Sequence, residues 1–555
     1  MKKTLLITLL LLLLLVSVVP ALAQDQATVT LVHFSDYHSH AVPFYGEGEA
    51  DTAGIARLIA YLKPLAGDPN VLILSGGDTM NFGSPAWSDK YQCAEWSWLN
   101  DLVDAMAFGN HDADYGPQVF AQCQVLVNYP ILGSNILRAN GQPLFQYDGK
   151  TYKVFEVNGH KIGVFALAGP DFARLIRPET MPDLGVTFAD RVATAQEVVK
   201  ALREQEQVDV VVLIGHALYE DDVALAQAVP GIDLIFGTHS HRKEELGQIP
   251  NTNTYYISPF QYLTYLSQVD LTFSGGDLTA VNGELVRLSN DLPEDPDIAG
   301  RVAQMQADLQ ADPQYAPLYQ PIGEAAVELS TAGQFTGEAL LGNLVMDIFR
   351  SAAQSHLALS TASSFREPIP PGTILEETLR TAMPYTNRIL VFDMSGAQVQ
   401  ELLNYSVSRS GSDFFSQVSG VRFNIDNNQA TNIQVLTDPA NPGAGYAPLD
   451  PAASYKVATT DFQGLIAGGY KDIFAPAGYV DTGIDVRTEV RNYLQANSPV
   501  TAQLDGRITL GAAVAAPAAL PTSGGVPAGS WPIMLLGLAL ISLGLLLRRH
   551  ATPSA

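Results

Sequence analysis

Five short segments in the first half of this 555-residue chain carry side chains able to bind divalent metals, each just after an apolar run. They read FSDYH (Asp36, His38), LSGGD (Asp78), FGNHDAD (Asn110, His111, Asp114), LIGH (His216) and FGTHSH (His239, His241). Any one is a weak signal, because a His or Asp after a strand is usually a capping or loop residue. Together they hold five of the ten histidines and form a mixed nitrogen and oxygen ligand set suited to hydrolytic divalent metals. The two cysteines, Cys93 and Cys123, are too few for a thiolate cluster, so a metal must use His, Asp and Asn. In an exported chain so close a pair is a candidate disulfide.

These residues need elements to position them. From Ala27 to about Leu288 strand-like and helix-like stretches alternate. ATVTLVHF, NVLILSG, KIGVFALAG, VDVVVLIGH and IDLIFGTH read as strands covered on both faces, with helices such as GIARLIAYLKPLA and ADRVATAQEVVKALREQ between them. That pattern predicts a layered α/β domain, in which functional groups gather at the carboxyl ends of strands. Asp78, His216 and the His239, His241 pair obey the rule. Asp36 and His38 follow TLVHF, and their spacing sends both side chains one way if the chain stays extended. FGNHDAD follows a helix-like stretch, so its place is less defined. PDIAGRVAQMQADLQA (296–311) reads as an exposed connecting helix within a linker at 296–321. A second, smaller α+β domain follows over 322–510.

Both ends read as addresses. Residues 1–23 have a lysine-bearing start, a leucine-rich core and Ala21-Leu22-Ala23, the pattern of a cleaved secretory signal. Residues 511–530 form an Ala/Pro/Gly tether containing LPTSG (520–524), which resembles a sortase sorting signal with Ser in place of Thr. The uncharged run 531–547 is at the lower limit for spanning a bilayer, and the basic tail 548–555 would keep its end cytoplasmic. The expectation is an exported protein, attached to the cell wall or anchored in the membrane. The formal charge of −26, with no basic stripe, excludes nucleic-acid polymers as partners.

The set and order of motifs resemble the 5′-nucleotidase family of calcineurin-like metallophosphoesterases: D-x-H, GGD, GNH-x-x-D, an isolated His and GH-x-H. The resemblance implies a catalytic domain over 24–295 and two divalent metals, Zn or Mn first, with Co, Mg or Ca also compatible. One metal would be held by Asp36, His38, Asp78 and His241. The other would be held by Asp78, Asn110, His216 and His239, with Asp78 as the bridge. Such a pair polarises the phosphoryl oxygen and generates hydroxide from water. His111, oriented by Asp114, would be the catalytic group rather than a ligand. Ser35 stands for the usual Asn, and Thr238 separates Gly237 from His239. His33, His40, His160 and His356 read as structural, as do Trp87, Trp96 and Trp98.

The second domain is similar to the family in LLGNLVMDIF (340–349), MPYTN (383–387), SQVSGVRF (416–423) and TTDFQGLIAGGYKDIF (459–474). The resemblance implies a base sandwiched by Tyr385 and Tyr470 and an arginine, Arg366, for phosphate or ribose. The family's Asn and glycines before that arginine are replaced here by Thr361 to Phe365. The expected activity is phosphate release from nucleoside 5′-monophosphates or related nucleotides. The alternatives are a 2′,3′-cyclic nucleotide phosphodiesterase, a UDP-sugar or nucleotide pyrophosphate hydrolase, a thiosulfohydrolase, or a non-catalytic nucleotide-binding surface protein.

Overall fold

Runs such as VVVLIGH present apolar residues to both sides, so a strand made from them is stable only if covered on both faces. The computed structural model, which describes residues 26–83, 85–176 and 185–511, meets that need with two six-stranded sheets packed face to face. The first runs Asp277–Arg287, Tyr265–Ser274, Gln26–Phe34, Val71–Ser75, Ala105–Ala107, Ile131–Leu132. The second runs Lys243–Gln248, Tyr255–Pro259, Leu234–Gly237, Val210–His216, His160–Ala168, Lys153–Val157. Within each sheet the strands that lead into the five motifs run parallel to one another, while Gln26–Phe34 is antiparallel to Tyr265–Ser274 on its other side. Val29, Leu31 and Leu74 of one sheet meet Val164, Val212 and Phe236 of the other in a shared dry core.

Helices close the outer faces. Ile55–Leu62 lies on the first sheet, and Arg191–Lys200 and Tyr219–Ala228 lie on the second. The helix Pro296–Ala311 is docked rather than merely exposed. It buries Ile298, Val302 and Leu309 against the first core, and the Asp295 carboxylate caps it by accepting from the Ile298 N–H at 3.0 Å.

The second lobe is built on a five-stranded sheet, Ser416–Ser419, Leu357–Thr361, Ser454–Thr460, Arg388–Ser395, Tyr479–Asp485. Leu340–Ala353 and Val486–Asn497 cover one face; Gly396–Ser408 and Tyr470–Phe474 cover the other. The expected leader at 1–23, the pentapeptide at 520–524 and the apolar run at 531–547 lie outside the described residues. Among the described residues no helix is long and apolar enough to cross a membrane.

Three of the histidines set aside as structural are accounted for by packing. His33 stacks on Phe236 with ring centres 4.6 Å apart, and burial pushes it down to about 3. His160 stacks on Phe273 at 3.6 Å. His356 sits just before the strand Leu357–Thr361, where its Nδ1 accepts from the Lys456 N–H at 3.0 Å. Cys93 and Cys123 form a disulfide beside a buried carboxyl, Glu95. That group accepts from the Tyr37 hydroxyl at 2.9 Å and from the Trp87 indole N–H.

Burial raises Glu95 from 4.5 to about 7, against the opposing pull of its hydrogen bonds. A carboxyl raised in the folded state stabilises below its unfolded value of 4.5, and that stabilisation is lost as pH rises through about 7. Glu95→Gln keeps the acceptor oxygen and removes the charge. It should stabilise the protein at pH 8 by on the order of 2 kcal/mol and leave stability near pH 4 almost unchanged. Thermal unfolding at the two pH values checks this, and a shift independent of pH would refute it.

Candidate metal centre

All five motifs lie at the carboxyl ends of parallel strands, on one rim of the paired sheets. Asp36 and His38 follow Gln26–Phe34, Asp78 follows Val71–Ser75, and His216 ends Val210–His216. His239 and His241 follow Leu234–Gly237, and Asn110 follows Ala105–Ala107. The last of these strands corrects the helix-like reading before FGNHDAD. It is only three residues long and has no β-branched residue, so periodicity gave no sign of it. It is held by its neighbours on both sides.

Asp36 and His38 reach the site by a different route from the extended one expected. Both are left-handed, with φ of 50° and 47°. Their backbone N–H groups donate to Gly77 O at 3.1 Å and Asp78 O at 2.9 Å, so this loop lies against the GGD loop. Gly77 and Gly109 allow the GGD and GNH loops to close on each other. A Cβ at Gly77 would lie 2.5 Å from Ala107 O, and one at Gly109 would collide with the Asp78 carboxylate. Neither loop tolerates a side chain there.

The side chains then converge. His38 Nε2 lies 3.0 Å from His241 Nε2 and 3.8 Å from Asp78 Oδ2. His241 Nε2 lies 3.4 Å from Asp36 Oδ1, and His216 Nε2 lies 3.2 Å from Asp78 Oδ2. Two groupings of donors close enough to share an ion are Asp36, His38, His241 and Asp78, His216, His239; a third joins His38, Asp78 and His111. Asp78 Oδ2 and Asn110 Oδ1 are buried with no hydrogen-bond partner among the described residues. Leaving such atoms unpaired costs about 1–3 kcal/mol each, and carboxylate and amide oxygens among imidazoles are a donor set a divalent cation fits.

Electrostatics divides the imidazoles. Burial holds His38 well below its ordinary value and pushes His239 down to about 3. Burial opposes charge on His216 and His111 as well. Asp78 outweighs it at His216, raising that group to about 9. Asp114 and then Asp78 do so at His111, raising it to about 10. His111 Nδ1 is 2.7 Å from Asp114 Oδ2, and Asp114 also accepts from the Phe82 N–H at 2.8 Å. That dyad is fixed in orientation.

The second lobe supplies the opposite wall. Arg366 Nη1 lies 3.0 Å from His241 Nδ1, and its Nη2 donates to the Tyr385 hydroxyl at 2.6 Å. Tyr385 is 43% exposed and lines a cavity of about 370 Å³ together with His38, His111, His241 and Arg366. Tyr470 does not belong to this wall, which corrects the expected sandwich. It is fully buried in the second lobe's core, its hydroxyl donates to Phe414 O at 2.7 Å, and its ring packs edge-on against Tyr405. The Gly468-Gly469-Tyr470 turn directs it inward at the start of the helix Tyr470–Phe474. On the far side of Arg366, a second cavity of about 390 Å³ is lined by Arg409 and Phe414, neither of which was singled out from the sequence.

Residues 29–243 match the family model for calcineurin-like phosphoesterase, and residues 321–475 match that for the 5′-nucleotidase C-terminal domain. The chain is 25% identical over 524 residues to protein UshA of Yersinia enterocolitica, covering 85% of this chain and 92% of that one. It is 24% identical over 524 residues to a 5′-nucleotidase of Vibrio cholerae, covering 85% and 91%. Among solved structures it is similar to the 5′-nucleotidase precursor of Thermus thermophilus, with a TM-score of 0.69 and 26% identity over 87% of this chain and 99% of that one.

One residue that the motif reading passed over organises two loops. Asp112, fully buried, accepts from the N–H groups of Asp78 (3.2 Å), Thr79 (2.8 Å) and Gly109 (2.8 Å) and from the Thr79 hydroxyl (2.5 Å). Its sequence signal was the acid directly after His111. Asp112→Ala should weaken Mn²⁺ or Zn²⁺ binding by about 10–100-fold, the range for losing a group that orients a ligand. Titration with a metal indicator checks this, and unchanged affinity in a folded variant would show that the loops hold themselves.

Proposed function

The chain belongs to the 5′-nucleotidase family of metal-dependent phosphoester hydrolases, and from that premise we propose that it releases phosphate from nucleoside 5′-monophosphates or related nucleotides outside the cell. The observation that carries this reading is the His111–Asp114 dyad facing the same cavity as Arg366 and Tyr385, beside orphaned ligand oxygens.

In this reading Asp36, His38, Asp78 and His241 hold one divalent cation, and Asp78, Asn110, His216 and His239 hold the other. Cations held by these residues would supply Lewis acidity toward a phosphoryl oxygen and a bound water acidic enough to act near neutral pH. The protein's own groups do the rest. Arg366, oriented by Tyr385, neutralises phosphoryl oxygens as charge builds. His111 is held by Asp114, whose carboxylate favours a proton on the imidazole. With Nδ1 committed to Asp114, Nε2 donates that proton to the leaving alkoxide as its bond to phosphorus breaks. The leucine-rich start at 1–23, the LPTSG pentapeptide and the run 531–547 before Arg548 and Arg549 support export and tethering at the outer face.

Asp78→Ala should abolish phosphate release from every substrate and lower bound metal, whereas activity surviving that change would sink the two-cation reading. His111→Ala should retain metal and lose about 10²–10⁴ in kcat. Phosphate release from AMP, UMP, 2′,3′-cyclic AMP and UDP-glucose, with Mn²⁺, Zn²⁺ or Co²⁺, checks the substrate class. A preference for the cyclic or diphosphate substrates would replace the monophosphate reading.

A further inference from the structure

The cavity in front of His111 holds more positive charge than a single phosphate calls for. Besides Arg366, it is lined by Arg380 from the helix Glu376–Ala382 and Arg487 from the first turn of the helix Val486–Asn497. Three arginines around one cavity stand out in a chain with 57 acidic and 31 basic residues. The acids that line the cavity are engaged: Asp114 by His111 and the Phe82 N–H, and Glu367 by His40 Nε2 at 2.6 Å. Arg380 pairs with Asp89 across the lobes at 3.1 Å.

Arg487 differs from its neighbours. Its Nη1 donates to the carbonyls of Met383 at 3.3 Å and Pro384 at 3.1 Å, and among the described residues it forms no ion pair with a carboxylate. Burial, and then Arg380, lowers its hold on its proton, the condition an added anion relieves. Because His111 faces the leaving oxygen, the leaving portion of a substrate extends into this same cavity.

We propose that Arg380 and Arg487 form a second anion subsite, so that the preferred substrate is a phosphate ester whose leaving portion carries a further phosphate or carboxylate. The inference rests on the phosphoesterase reading above. The cavity, at about 370 Å³, is at the small end for ligand sites and suits a compact leaving portion.

Two matched pairs test it: adenosine 3′,5′-bisphosphate against AMP, and 4-carboxyphenyl phosphate against phenyl phosphate. The readouts are kcat/KM and calorimetric binding to the His111→Asn protein. The doubly anionic member should be favoured at least tenfold in one pair, and which pair responds distinguishes phosphate from carboxylate. Arg487→Gln keeps a donor for the Met383 carbonyl, and it should bring that ratio close to one in both readouts. Equal values within both pairs, or a preference that survives Arg487→Gln, overturn the subsite. If none of the four is hydrolysed, the phosphoesterase reading fails, and the calorimetric ratio alone decides the subsite.

Discussion

The buried carboxylate of Asp78 is the group on which the site depends. One oxygen accepts from the His111 N–H at 2.8 Å, and the other stands 3.2 Å from His216 and 3.8 Å from His38. To present both oxygens this way its backbone adopts φ 51°, and Asp36, His38, His239 and His241 are likewise left-handed, at 47–59°. Residues other than glycine held in this region cost about 1–3 kcal/mol each and persist only where the surroundings over-determine them. Here they do: the Asp36 N–H is tied to Gly77, the His38 N–H to Asp78, and the His239 N–H to the Asp36 carboxylate. Each strained loop is held by the next, so the ring of loops forms as a unit.

That mutual support explains what could be read from sequence. His216 and Asp78 were legible because each follows a strongly apolar run, and strand ends are defined by periodicity. The position of Asn110 was not, because its strand is three residues long and owes its conformation to the neighbouring strands Val71–Ser75 and Ile131–Leu132. The turn at Asp36 and His38 was misjudged for a related reason. The i, i+2 rule describes an isolated extended chain, whereas contacts across loops set these dihedrals. Asp112 was hidden by proximity: it lies beside the histidine that drew attention, yet its role is set by Thr79 and Gly109.

The second lobe was less legible because its roles depend on which way a side chain points, and spacing does not encode that. Tyr385 and Tyr470 occupy comparable places in the motifs. One is exposed beside Arg366, and the other is sealed behind Ser416 and Phe414. The difference lies in the turn before Tyr470, where Gly469 at φ 80° begins a short helix with the tyrosine on its inner side. A Cβ at Gly469 would strike the Tyr405 ring, so the turn and the Tyr405–Tyr470 pair are one packed unit.

Arg366 links the lobes chemically as well as spatially, because it touches both a metal-site imidazole and the exposed Tyr385. His40 and Glu367 make a parallel link, and His40 is itself stacked on Tyr262 at 3.8 Å. The first lobe gathers the His and Asp side chains of the centre and the His111–Asp114 dyad. Among the described residues, the guanidiniums that line the cavity in front of them, Arg366, Arg380 and Arg487, all come from the second lobe. On the proposed reading, chemistry and selectivity therefore belong to different parts of the chain, with the metal-binding side chains in the first lobe and the arginines that would select among esters in the second.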